Sequence, residues 1–515
     1  MRRAFLPVVA ALMAAAVTPA RADGPVMTAT DVVFMYGAAP EFYDAYGATW
    51  VAWGGGVGKR PGIHYTGSFW CLTAGAEALH KDPVLRDAVA KDIEGYPIWV
   101  PWLMDHVYEG TPTWFGCTNA PVYRELLRKR CLEAVADKPG GIHIDDPAGV
   151  YAPVSWGGGC FCDHCMKGFR EYLAAHDSPE LRKEAGVGGW DGFDYRALVR
   201  TRAKTKDEYL KVQNDLPLRR VYLEFQERRM VENIRSLGEL ARSKLGPGMT
   251  MSVNLYYGGP GGDNLVLVPL ITHMVAEVEH DAGEGTAKLL KPVMAYRQAE
   301  TVGLPLASTA SGGDYAWVKA HNAVNLVKVW IALGYACGQR LMVPHPKMQW
   351  CQTPEKGTHW YAAPVAEFAP LYRFVRANPA LFEGYRTVGP LAPPPDAPRE
   401  YDTPAKRSAL RAALERDDPK PITAGKAVWV LPRAKPTGEL VAHLLNLDYL
   451  ADSDTIIPAK NLSIRLPAGL TNRRFARAVL HAWDAKPVTL EVKQDAGGLA
   501  VAVPEFRLWG IIEFQ

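Results

Sequence analysis

Two groups of side chains in this 515-residue chain have the types and spacing for chemistry. The first is a set of acids. Ile142, His143 and Ile144 read as a short strand running into Asp145 and Asp146, and Pro147 ends it because proline cannot donate to a sheet ladder. A second pair, Glu277 and Glu279, lies in HMVAEVEHD. Two carboxyls that differ in protonation can divide the work of acid and of base or nucleophile. Strand side chains alternate, so Glu277 and Glu279 share a face while Asp145 and Asp146 point oppositely. Asp146, nearer the strand end and beside the redirecting proline, is the favoured catalyst of its pair, with Asp145 holding the loop. Turn capping for the aspartates and ion pairing for the glutamates are the plain structural alternatives.

The second group is cysteines. Cys160-Phe-Cys162-Asp-His-Cys165 puts three thiols within six residues, and Cys117 offers a fourth just ahead of a helix. Four sulfurs around one ion are the tetrahedral set zinc favours, and closed sites of that kind are structural. Unligated thiols or a local disulfide are the alternatives. Cys71, Cys131, Cys337 and Cys351 are isolated; Cys131 and Cys337 fall in helical apolar patterns and read as buried thiols.

Cys117-Thr-Asn119-Ala-Pro121-Val-Tyr123-Arg124-Glu125, the strand-end acids, the cysteine triplet and Phe169-Arg170-x-Tyr172-Leu173 together resemble the zinc-bearing segment of family-42 β-galactosidases. The likeness runs from Trp114 to Leu173. It implies a retaining glycosidase on a (β/α)8 barrel, with zinc held by Cys117, Cys160, Cys162 and Cys165. One position departs. The family carries an Asn-Glu pair at the end of its fourth strand, the Glu being the acid/base, and Asp146-Pro147 stand there in this chain. β-Galactosidase activity is therefore not carried over. The expectation is a distant relative among barrel glycosidases, with its acid pair drawn from Asp145, Asp146, Glu277 and Glu279. Retention or inversion then depends on carboxyl separation, about 5–5.5 Å against about 6.5–9.5 Å.

Such acids need strand ends to hold them. Short apolar strands are expected over 31–37, 49–53, 62–70, 142–146, 248–257, 273–281, 304–309 and 340–345. Helical spacing over 74–93, 121–136, 194–213, 218–244, 289–303, 322–338 and 365–382 separates most of them. YPIWVPWL at 96–103 is a proline-broken loop, and Gly312-Gly313-Asp314 reads as a loop after the seventh strand. The alternation predicts an α/β fold, a (β/α)8 TIM barrel over 23–388. Residues 389–425, containing PLAPPPDAP, read as a linker with one possible helix. Seven β runs over 426–515, with a hairpin turn at Asp495-Ala-Gly-Gly498, predict a small antiparallel β-sandwich.

At strand ends and rim loops fall His64, Asp105, His106, Asn254, Asp314 and His345, together a polar sugar-binding cleft and singly ordinary hydrogen-bonded residues. Trp70, Trp102, Trp317 and Trp350 are candidate stacking platforms among 15 Trp and 22 Tyr, although rings of this kind also simply fill cores. A net charge of +3 gives no nucleic-acid footprint. Arg2, Arg3, the apolar stretch 4–17 and Ala20-Arg21-Ala22 read as a signal peptide over 1–22, which predicts a periplasmic or secreted protein with no later membrane span. The leading expectation is an exported glycoside hydrolase acting on an oligo- or polysaccharide with structural zinc. The second is a carbohydrate-binding barrel that has lost its acid/base. Catalysis by the cysteine cluster ranks last, because four thiolates leave no open coordination position.

Overall fold

A computed structural model describes residues 25–515 except 55–58, 257–263, 354 and 417; the expected signal peptide lies outside the described residues. Eight parallel strands form one sheet: β1 (Val33–Tyr36), β2 (Trp50–Trp53), β3 (His64–Trp70), β4 (Gly141–Asp145), β5 (Thr250–Tyr256), β6 (Met274–Val278), β7 (Leu306–Ala310) and β8 (Arg340–Leu341). They pair in sequence order. Phe34 then bridges Val343 in parallel, and the Val343 N–H donates to the Val33 carbonyl at 2.7 Å, so the sheet closes on itself. Strands buried on both faces must be apolar on both. Val33, Met35, Ala52, Val275, Ala307 and Met342 cluster inside the barrel, while Phe34, Val51, Ile142, Ile144, Val253 and Ala276 join the larger core beneath the helices.

The helices that matter below are α1 (Pro121–Val135), α2 (Asp163–Ala175), α3 (Arg219–Leu245), α4 (Leu290–Val302), α5 (Gly312–His321), α6 (Val324–Ala336), α7 (Val365–Ala377) and α8 (Pro404–Glu415). In α3, Tyr222, Phe225 and Gln226, then Met230, Ile234, Leu237 and Ala241, recur at helical spacing and are buried, the face of an amphipathic helix lying against a barrel. Three local expectations change. The helix expected over 74–93 is two short helices, Ala76–Lys81 and Pro83–Asp87, because Pro83 cannot continue a helix and Asp82 caps a new one. The 194–213 pattern is likewise split into Tyr195–Arg200 and Lys206–Val212, the second begun by a Thr205/Glu208 capping box. Gly312-Gly313-Asp314 is not a loop but the first turn of α5, closed by a Ser311/Asp314 capping box.

Nine antiparallel strands make the C-terminal sheet, which runs from Val428–Ala434 to Trp509–Phe514 with Arg386–Thr387 and Ile422–Ala424 joined to its edge. It curls around Val430, Leu444, Ile464, Leu480, Val501 and Ile512. Helix α6 is buried nearly all round because Val441, Leu445 and Trp509 of this sheet share the core of the barrel. Helix α8 lays Leu410 and Leu414 against Leu265 and Val268. There Arg407 donates to Glu227 of α3 at 2.6 Å, with both side chains nearly excluded from solvent. Arg407→Ala removes this charge-assisted contact and should destabilise by about 1.5–3 kcal/mol, read as a shift in the denaturant midpoint. No helix among the described residues is long and apolar enough to cross a membrane.

Candidate functional site

Three adjacent strands carry the chemistry to the C-terminal mouth of the barrel. Strand β4 ends on Asp145, β6 presents Glu277 one residue before its end, and β5 places Asn254 between them. Asn254 Nδ2 donates to Asp145 Oδ1 at 3.0 Å and to Glu277 Oε1 at 3.3 Å. Asp145 also accepts from the Asp146 backbone N–H at 3.0 Å and from the Trp53 side chain at the end of β2. Asp146 corrects the alternation argument. Its φ of 46° lies in the left-handed region, where the strand's alternation is broken, so Asp145 and Asp146 line one cavity rather than opposite faces.

The cavity measures about 770 Å³. Its floor holds Asp145, Asp146, Asn254 and Glu277, and its walls include Trp53, Trp70, Trp102, Trp156, Trp350 and Trp360. A hairpin of β9 (Gln349–Thr353) and β10 (Gly357–Tyr361) forms one wall. It is clasped to the facing loop by Asp105, which accepts the Thr358 N–H at 2.7 Å, and by Gln352, whose amide donates to the Trp102 carbonyl. Trp350 lies on the start of α5: a Cβ at Gly312 would come within 2.3 Å of its ring. Gly312→Ala should therefore displace the indole from this wall, measurable as a change in tryptophan emission.

Burial, with the Asp145 carboxylate adding to it, pushes the Glu277 carboxyl up to about 7 against the pull of the Asn254 hydrogen bond. Burial raises Asp145 as well, but the hydrogen bonds from Asn254, Trp53 and the Asp146 amide oppose it. Asp146 has no such donors. Burial, then Asp145 and Glu277, drives it well above the carboxylate range. Tyr36, at the end of β1, is held firmly protonated by burial and the same two acids. The mouth thus holds three carboxyls that burial pushes toward the protonated form, of which Asp145 has the most hydrogen bonds to its charged form.

Of the other residues singled out in the sequence, Trp70, Trp102, His106 and Trp350 line the cavity. Glu279 does not. β6 ends at Val278, and Glu279 lies beyond it, half exposed, paired with Lys291 at 2.7 Å. His64 begins β3 rather than ending it, so it sits at the opposite mouth, bonded to Thr250 Oγ1 at 2.8 Å and packed on Trp50. Asp314 is buried, accepting from the N–H groups of His280 and Ala282, both at 2.9 Å. His345 is buried too, its Nδ1 taking the Met348 N–H at 2.9 Å, so it shapes the turn into the hairpin. Asp105 serves the clasp, and Trp317 stacks on His321. Tyr36, Trp53, Trp156, Gln352 and Trp360 complete the cavity without having been singled out in the sequence. Tyr36 and Trp53 had a legible signal, since both end barrel strands just as Asp145 does.

The four cysteines Cys117, Cys160, Cys162 and Cys165 come together fully buried, their sulfurs all within 4.8 Å of one another. Cys117 Sγ lies 3.4 Å from Cys162 Sγ and 3.6 Å from Cys165 Sγ. Four ligands about 2.3 Å from a tetrahedral ion would be about 3.8 Å apart, so the set has the chemistry and spacing to hold a metal ion. Cys162 stands at the N-cap position of α2, without a side-chain capping bond. Asn119 Nδ2 donates to Cys165 Sγ at 3.2 Å and to Gln226 Oε1 of α3 at 2.8 Å, fixing the cluster to the barrel wall. All eight cysteines are free of disulfides.

Fold and mouth together define a (β/α)8 barrel with an acid-floored, aromatic-walled cavity and a C-terminal β domain. No protein-family model matches the sequence, and no curated protein matches it. Solved structures match the fold. Alpha-L-fucosidase isoenzyme 2 from Paenibacillus thiaminolyticus superposes with a TM-score of 0.56 at 11% identity, over 95% of this chain and 100% of that one. The β-galactosidase from Bacillus circulans sp. alkalophilus gives 0.54 at 12%, over 94% and 99%. A cycloisomaltooligosaccharide glucanotransferase from Paenibacillus sp. gives 0.51 at 9%, over 88% and 73%. The likeness is one of fold, and it does not single out family 42.

Proposed function

We propose that this chain is a glycoside hydrolase that works with retention, Asp145 as nucleophile and Glu277 as acid/base. One observation carries the reading: the two carboxyls share the Asn254 amide at 3.0 and 3.3 Å, Asp145 having the Trp53 side chain and the Asp146 amide as further donors and Glu277 being pushed up to about 7. The two oxygens on that nitrogen, Asp145 Oδ1 and Glu277 Oε1, can be no farther apart than the sum of those distances, so the nearest approach of the carboxyls falls short of the roughly 6.5 Å at which inverting pairs begin. Asp145 attacks the anomeric carbon as Glu277 gives its proton to the departing glycosidic oxygen. Glu277, now ionised, takes a proton from water, whose oxygen attacks the anomeric carbon and releases Asp145. Indole faces hold the sugar ring, supported by the tryptophan walls. Relative to family 42, the acid/base has moved from the end of β4, where Asp146-Pro147 stand, to β6.

In the same reading Cys117, Cys160, Cys162 and Cys165 hold zinc as a clamp, and its chemistry is structural, since four thiolates leave the ion no position for substrate. Export to the periplasm or medium follows from the N-terminal residues. The test is a panel of aryl glycosides and oligosaccharides followed by proton NMR of the first-formed anomer. Release of product with retained configuration by the wild type, and none by Asp145→Asn or Glu277→Gln, is the expected result. Binding without product by the wild type would favour the carbohydrate-binding reading instead.

A further inference from the structure

Two carboxyls suffice for glycoside hydrolysis, and the cavity holds three. Asp146 is the surplus one. Its carboxyl lines the cavity with no hydrogen-bond donor among the described residues, on a backbone in the left-handed region that costs a non-glycine residue energy. The floor is also short of donors. Asn254 donates its amide to Asp145 and Glu277, which leaves its Oδ1 buried without a partner.

No lysine or arginine lines the cavity among the described residues, and 55–58 and 257–263 contain none in their sequence. Cations on flanking elements are engaged elsewhere. Lys319 donates to the Trp360 carbonyl at 2.7 Å, Arg130 to the carbonyls of Trp70, Thr73 and Ala74, and Lys291 to Glu279 and Asp281. His106 is bonded to Asp105 at the rim. Buried acids are paired or else take up protons, and here a ligand can bring the missing charge. An ammonium group offers three donors and no acceptor, and indole faces attract it.

Resting on the glycoside reading of the cavity, we propose that the substrate is an amino-sugar glycoside whose ammonium pairs with Asp146 within the tryptophan walls, with Asp146 setting that specificity. A cation on the floor favours the ionised carboxyls, so binding must expel protons that the empty cavity holds. A neutral sugar has no such effect.

The test is titration calorimetry of the full chain with β-1,4-linked glucosamine oligomers, their N-acetylated forms and cello-oligosaccharides, in buffers of different ionisation heat. The free amine should bind at least about tenfold tighter than the other two at neutral pH, with net proton release. Asp146→Asn should remove the preference and the proton release while leaving neutral-sugar binding in place. If that variant fails to fold, the wild type still decides: the amine preference should hold where the amino group is protonated and disappear once pH is raised enough to deprotonate it, while binding of the N-acetylated oligomer does not follow it. Equal or tighter binding of the neutral or acetylated oligomers, or a preference that survives Asp146→Asn, overturns the inference and leaves the glycosidase reading standing. Failure to bind or cleave any sugar, charged or neutral, overturns both.

Discussion

Glu277→Gln is expected to move activity and stability in opposite directions. Turnover should fall by about 10²- to 10⁴-fold, because glutamine keeps the shape and the Asn254 contact but cannot pass a proton. Stability should rise. The Glu277 carboxyl titrates at about 7 in the folded chain against a usual 4.5, so the native state binds this proton more tightly than the unfolded state does. The associated stability is full below the lower value and is lost as pH climbs through the upper one. Glutamine never ionises, so above about pH 7 the variant should exceed the wild type by about 1–3 kcal/mol. Thermal midpoints across pH check this: the wild type declines over that window relative to the variant. The same titration sets the alkaline limb of the wild-type activity profile near 7, since the acid must enter the cycle protonated. Asp145→Asn should be as inactive. Comparable turnover in Glu277→Gln would remove Glu277 from the mechanism.

Loss of the cysteine cluster should have the second large effect, and on stability rather than chemistry. Cys117 precedes α1, Cys160 and Cys162 precede α2, and Cys165 lies in its first turn, so one ion would staple two segments separated by more than forty residues of chain. Cys162→Ser should lower stability by about 3–5 kcal/mol and abolish the one zinc per chain expected by mass spectrometry. Cys131→Ser, at a buried thiol outside the cluster, should leave metal content unchanged. Activity at a temperature where the variant remains folded should change little, because the cluster lies outside the cavity lining. Full metal content in Cys162→Ser would show that the four sulfurs do not act together.

The eight strands, the long α3 and the C-terminal β runs were legible because each is written in one run of consecutive residues. Strands of a closed barrel are apolar on both faces, and turns and prolines mark their ends. Cysteine spacing was legible for the same reason: three of the four sulfurs sit within six residues. Helix breaks at Pro83 and Thr205 were available in principle, but strong charge periodicity masked them.

The mouth was only half legible. That Asp145 ends β4 follows from local residues. That Glu277 faces it and Glu279 does not depends on where β6 stops, which is set by its register with β7, Glu277 opposite Thr309. His64 and Asp145 both bound strands, yet they occupy opposite mouths because one begins its strand and the other ends it. Asp146 joins its neighbour on the floor through a single backbone rotation that no alternation rule contains. The sequence by itself determined which carboxyls and which sulfurs were available, since residue type and strand position are local properties. Only the tertiary structure decided which of them meet: Asn254 can bridge Asp145 and Glu277 because parallel pairing of β4, β5 and β6 brings Asp145, 109 residues away along the chain, and Glu277 to hydrogen-bonding distance of one amide.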